Sequence, residues 1–364
     1  MKAQFKTLFV LLLLPAMVMA GGDNKFKGKY TKEKTLNKEY NVNANAGLKI
    51  NNSYGNLDIV TWNENRTVIE VTIRTNGNNE EKVQKRLDEI DVDFDGNASL
   101  VTAKTKFKKG GGSWSWWGSK NKSKGVSVEV NYLVKVPVTN SLDLSNDYGA
   151  ININESDGNT KISCDYGQLN IGRLTASNNL INFDYTNNST IAYMKSGRIN
   201  ADYSSFTLDE VDYLELNADY TKSSIQKVRE LNYSADYGKL SVGQVQTVTG
   251  NGDYIPASFE AVSGNFNINS DYGSITVDRL TPEAGDVTIK SSYAGIRLGY
   301  DPGYSFDFMV NLSHASLSGK DDLNLTMESK DNSEKSYAGY HGSQNSGNTI
   351  NVRSSYGGVS LKKQ

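Results

Sequence analysis

Residues 162–171 read ISCDYGQLNI, residues 233–242 read YSADYGKLSV, and residues 268–277 read INSDYGSITV. Each stretch alternates apolar and polar residues, breaks at Tyr-Gly, and alternates again. The same marker, Asp-Tyr or Ser-Tyr and often a following Gly, occurs at Tyr54, Tyr148, Tyr166, Tyr185, Tyr203, Tyr220, Tyr237, Tyr254, Tyr272, Tyr293 and Tyr356. From Tyr148 to Tyr293 the steps are 18, 19, 18, 17, 17, 17, 18 and 21 residues. A further step of 21 lands on His314, within Ser313-His314-Ala315, and 42 more residues lead to Tyr356. Eleven of the 21 tyrosines thus share one repeat position.

Period-2 alternation means strands with one buried face. The glycine marks a bend where a side chain would obstruct the chain. Each repeat supplies two short strands joined by a corner, and neither strand can bury its inner face alone. Stacking the repeats pairs each strand in parallel with its counterpart in the next one. The predicted fold is all-β, a single-stranded parallel β-solenoid of about twelve coils of 17–21 residues. At ~4.8 Å per coil the rod is on the order of 60 Å long. A meander would require tight Asn-Gly hairpins between neighbouring strands, and the constant marker register argues against it.

The alternation places the tyrosines (Tyr148, Tyr166, Tyr185, Tyr203, Tyr220, Tyr237, Tyr254, Tyr272, Tyr293 and Tyr356) on the inward phase, stacked as a structural ladder along one inner edge. The residue two before each is mostly small (Cys164, Ala201, Ala218, Ala235, Gly252, Ser270, Ser291, Ser354), leaving room for a ring. His314 stands in for a tyrosine as a packed imidazole. Asp147, Asp165, Asp184, Asp202, Asp219, Asp236, Asp253 and Asp271 then form an outward column of like charges. Two devices would offset their repulsion: an Asx-type turn at each corner, or a row of shared calcium ions. Serine at 53, 292, 313 and 355 suits the turn better, and the calcium motif G-G-x-G-x-D is absent.

Residues 1–20 read as a signal peptide, with Lys2 and Lys6, an apolar run from Leu8 to Leu14, and Val18-Met19-Ala20 before the cut. No later apolar run approaches a membrane span. Residues 21–47 are a polar leader, 48–140 hold a first coil with a helix-containing insert or cap, and 141–364 hold the repeats. In the insert, Thr67–Arg74, Ser99–Phe107 and Val126–Val136 read as strands. Asn78 to Ile90 reads as a helix with Val83, Leu87 and Ile90 on one face and Asn78 or Asn79 as N-cap. The insert would cover the open end of the rod.

The chain carries 39 Lys+Arg against 41 Asp+Glu, so nucleic acid is not the expected partner. Cys164 is the only cysteine, which excludes an internal disulfide framework. With two histidines, and no G-x-S-x-G, Walker-type loop or H-E-x-x-H, no catalytic residues or cofactor are assigned. Within Lys108–Lys120, Trp114, Trp116 and Trp117 share a Gly/Ser/Lys loop. Exposed indoles suit sugars, membrane interfaces or protein surfaces, so these three are the candidate binding residues; folding back onto the rod is the alternative.

Val128–Pro137 (VEVNYLVKVP), the Leu142-Asp143-Leu144 that follows, and the Tyr-Gly corners with Ile151 and Ile153 resemble the bacterial putative-adhesin domain family over about residues 45–362. The Asn-, Tyr- and Lys-rich style is similar to Bacteroidetes members. The resemblance implies an exported β-solenoid and a role in attachment. The expectation is a non-enzymatic envelope protein, adhesin-like or structural, in the periplasm or on the outer surface, meeting a glycan, protein or other envelope surface. A polysaccharide lyase or glycosidase on the same fold, and an envelope-sensing accessory protein, are the alternatives.

Overall fold

The computed structural model describes residues 26–108 and 125–364. Among them the chain is all-β, one hydrogen-bonded sheet of 27 strands, mostly parallel, with one short α-helix. Parallel pairing follows the repeat. Leu144 lies opposite Ile162, Ile162 opposite Ile181, Ile181 opposite Ile199, and Ile199 opposite Leu216. The strands after the corner pair in the same way: Ile151 with Leu169, Ile171 with Ile191, and Ile191 with Leu208.

Alternation generates this arrangement directly. In strand Ser205–Asp219, Phe206, Leu208, Val211, Leu214, Leu216 and Ala218 are buried. The residues between them are largely half-buried or exposed. Strands before and after the corners contribute to one apolar cluster running through the repeats. Interior volumes are matched across neighbours. Tyr233 lies opposite Gly250, and a Cβ on Gly250 would run into the Tyr233 ring.

Both ends depart from chain order. The segment Gly47–Ser53 pairs in register with Ser141–Asp147, so Tyr54 and Tyr148 are spatial neighbours. The intervening chain lies on the other side of that first repeat. Leu100–Phe107 and Ser127–Pro137 pair in parallel with Gly47–Ser53 and Leu57–Trp62. Arg66–Gly77 and then Tyr30–Asn41 continue outward as antiparallel strands. The helix runs Glu80–Asp88, with Asn79 Oδ1 accepting the Lys82 N–H at 2.9 Å. Val83 and Leu87 face inward, while Ile90 opens the next strand rather than closing the helix.

At the other end, Thr349–Ser355 slots between Val287–Ser292 and Phe306–Ser313. The last repeat in the chain is therefore the last but one in space. The final position belongs to the His314 repeat. Its open edge is covered by antiparallel Glu334–His341 and then Asn324–Asp331. An unpaired edge is a template for unwanted strand addition. The outermost strands carry charge, with Lys32, Lys34 and Lys38 on one and Glu328, Lys330 and Asp331 on the other.

A candidate contact surface at the tyrosine corners

Each marker tyrosine has a positive φ, between 51° and 68° from Tyr54 to Tyr356, and His314 shares the conformation at 53°. The left-handed region costs an L-residue about 1–2 kcal/mol. The bend therefore sits on the tyrosine and not on the glycine after it. The glycine answers a different need: a Cβ on Gly149 or Gly167 would run into the carbonyl of Gly55 or Gly149.

This conformation throws the ring outward. The expectation of an inner ladder is corrected: Tyr148, Tyr166, Tyr185, Tyr203, Tyr220, Tyr237, Tyr254, Tyr272, Tyr293 and Tyr356 are each 45–52% exposed. The left-handed residue interrupts the pleat, so the inward phase passes from Cys164 to Gly167 and on to Leu169, skipping Tyr166. Thr186, Ser204, Thr221, Ile255 and Ala294 occupy the Gly167 position in other repeats and are buried. The small residues two before each tyrosine are also buried, at 0% for Cys164 and 7% for Ser291. They fill the interior beneath the corner rather than make room for a ring.

The rings do stack, as predicted, but on the outside. Neighbouring centroids from Tyr54 to Tyr356 are 4.7–5.3 Å apart, with planes within 10°. His314 closes the row on Tyr356 at 4.6 Å and 11°. Each offset-stacked pair contributes about 0.5–1.5 kcal/mol beyond burial, which offsets the backbone strain. Ring faces are covered by neighbouring rings, so the surface presents ring edges and phenol oxygens. Among the described residues, no hydrogen bond is made by the hydroxyls of these ten exposed tyrosines.

The aspartate column borders the row. Its carboxylates are held across repeats rather than within a local turn. The Asp202 N–H donates to Asp184 Oδ1 at 3.2 Å, Asp219 to Asp202 at 3.3 Å, Asp236 to Asp219 at 3.1 Å, Asp253 to Asp236 at 2.7 Å and Asp271 to Asp253 at 3.1 Å. Ser292 N–H donates to Asp271 at 2.6 Å. Each tyrosine N–H in turn donates to the carbonyl of the next marker Asp or Ser, as Tyr220 does to Asp236 at 2.9 Å. The second oxygens of Asp184 through Asp271 have no partner among the described residues. Burial, then the neighbouring Asp147, raises the Asp165 pKa above the ordinary carboxylate value, while a backbone N–H from Asp184 pulls it down. The described residues hold no group of three or more His, Cys, Asp or Glu placed for a metal ion.

Two further polar features escape the repeat marker. Outward asparagines form ladders of their own: Asn217 donates to Asn200 at 2.8 Å and Asn200 to Asn182 at 2.6 Å. At the N-terminal end, Asn52 and Asn146 occupy the position that is small in most other repeats and Phe183 in one. Buried Asn52 donates to Asn146 Oδ1 at 3.1 Å and accepts from Thr105 at 2.8 Å, and Thr105 meets the Tyr132 hydroxyl at 2.8 Å. This network ties the first repeat to the insert. Asparagine at two successive small positions is its only trace in the sequence. His341 is buried, its Nδ1 2.7 Å from the Tyr304 carbonyl oxygen. Trp114, Trp116 and Trp117 lie outside the described residues.

No family model matches the chain, and no curated protein matches it. Among solved structures it is similar to a putative cell adhesion protein from Clostridium sporogenes, at 10% identity and a TM-score of 0.19, over 92% of this chain and all of that one. It is also similar to putative adhesins from Parabacteroides distasonis (11% identity, TM-score 0.30, 72% of this chain and 91% of that one) and Parabacteroides merdae (10%, 0.29, 90% and 96%). These neighbours agree by name with the putative-adhesin resemblance carried by Val128–Pro137 and the Tyr-Gly corners. At these scores the fold and the surface rest on this chain's own geometry. Among the described residues no helix is long and apolar enough to cross a membrane.

Proposed function

We propose that the chain is an exported, non-enzymatic protein of the cell envelope that acts as an adhesin-like contact module. In this reading the repeats stack as a rigid parallel β-solenoid, residues 1–20 are removed, and the inserts at 48–140 and 306–348 cap the rod. The observation that carries it is the row of ten half-exposed stacked tyrosines. Soluble proteins rarely leave a continuous aromatic strip in water, and such strips mark contact sites. A repeating surface is also a poor catalytic centre, because an acid–base pair needs a local break in symmetry. Trp114, Trp116 and Trp117 are proposed as further binding residues on their sequence alone.

Binding of residues 21–364 to whole cells and to a glycan array tests the reading. Tyr203→Ser with Tyr237→Ser should reduce binding, as should a variant with all three tryptophans changed to Ala. A folded wild-type protein that binds no cell, glycan or envelope fraction would overturn it.

A further inference from the structure

We propose that the tyrosine and aspartate columns together form a self-complementary edge that pairs with a second copy of this chain, the two copies lying side by side and parallel. The inference rests on the ladder being a contact surface and names its partner.

The argument starts from what the strip offers. Ring faces are spent on their own neighbours, 4.7–5.3 Å away, so a sugar or a cation has no free face to stack on. What remains is a line of phenol O–H donors beside a line of carboxylates. From Asp184 to Asp271 each carboxylate uses one oxygen on a backbone N–H and leaves the other open. Donor and acceptor columns run in adjacent residues and share one spacing. The partner that satisfies both needs the same spacing and the opposite order across the gap.

A second copy turned about a two-fold axis along the row has both properties. That rotation preserves the level of every repeat and exchanges left with right. Each tyrosine row then faces the partner's aspartate row, and each hydroxyl meets an open carboxylate oxygen. A two-fold axis across the row would instead set Asp against Asp and reverse the direction, so the charges select the parallel arrangement. The area is sufficient. Ten rings, each about half exposed, offer roughly 100 Å² apiece, on the order of 1,000 Å² per copy where a stable interface needs about 800 Å².

Sedimentation velocity of residues 21–364 tests this. The wild type should form a reversible dimer. The quadruple change Tyr203→Phe, Tyr220→Phe, Tyr237→Phe and Tyr254→Phe keeps the stacked rings and deletes only hydroxyls. It should weaken the dimer by at least about a hundredfold, since it removes charge-assisted hydrogen bonds on both copies, with an unchanged thermal midpoint at a dilution where both proteins are monomeric. The change of Asp202, Asp219, Asp236 and Asp253 to Asn keeps an oxygen for each backbone N–H and should weaken association similarly. A spin label on Lys290→Cys should report a short distance between copies; a separation of roughly 35 Å, which a reversed row at ~4.8 Å per repeat would give, would overturn the parallel arrangement. A wild type that stays monomeric, or a Phe quartet that dimerises as the wild type does, would overturn the proposal. Cell or glycan binding by a monomer would leave the contact-module reading standing and assign the ladder to that surface instead.

Discussion

Replacing Tyr220 separates the two forces that meet at a corner. Its ring stacks on Tyr203 at 4.7 Å and on Tyr237 at 5.0 Å, while its backbone is left-handed, at φ 51°. Tyr220→Ala removes two stacks, about 2 kcal/mol together. It also removes the buried half of the ring, roughly 100 Å² or ~2 kcal/mol once a compact unfolded chain is allowed for. The strained backbone stays. Tyr220→Gly loses the same contacts but relieves about 1–2 kcal/mol of left-handed strain, less the ~0.5–1 kcal/mol of added freedom in the unfolded chain. Alanine should therefore cost about 3–4 kcal/mol, and glycine about 0.5–1 kcal/mol less than alanine. In an ordinary strand that order is reversed. Guanidinium unfolding followed by circular dichroism measures the midpoints of wild type, Ala and Gly side by side. An alanine variant at least as stable as the glycine variant would refute the strained-corner account. A loss under about 1 kcal/mol in both would refute the stabilising stack.

Three other outcomes follow from single groups. The Tyr233 hydroxyl is buried without a hydrogen-bond partner and burial pushes its pKa up, so Tyr233→Phe should raise the thermal midpoint, by about 1 kcal/mol in stability terms; a lower midpoint would reveal an unrecognised partner. The raised Asp165 pKa means the folded chain holds that proton more tightly than the unfolded chain, so the carboxylate's penalty is full at neutral pH and gone below its ordinary value of 3.8. Asp165→Asn should therefore raise the melting temperature at pH 7 and not at pH 3.5, and an equal gain at both would contradict the penalty that burial, and then Asp147, place on its charge. Cys164 is buried, with its thiol pushed up to about 12 mainly by desolvation; Ellman's reagent should find no reactive thiol in the folded protein and one after unfolding, and prompt labelling of the native chain would show the interior to be open.

Much of the architecture was legible in local sequence. The tyrosine spacing from 148 to 293 anticipates the parallel register, because each in-phase apolar residue must meet its counterpart one repeat away. The helix was legible through Asn79 and the Val83–Leu87 spacing, because capping and amphipathicity act within a few residues. Counting the phase forward from Ile162 puts the tyrosines inside, whereas they are exposed. Counting back from the following strand gives the right answer: Phe259, Ala257 and Ile255 are in phase, and Tyr254 is not. A bulky side chain at positive φ is rare enough that a propensity-based reading places the bend on the glycine instead.

By itself, then, the sequence determined the strand period, the parallel pairing of the repeats and the stacking of one aromatic column, since these follow from alternation and spacing along neighbouring residues. Only the tertiary structure decided that the column faces solvent. That choice balances left-handed strain against ring stacking between repeats, and the stacking exists only once they are assembled. It also decided the order of the end repeats. Residues 349–355 lie between 287–292 and 306–313, while antiparallel 334–341 covers the outer edge of 306–313, and nothing within a single repeat records which segment takes which edge.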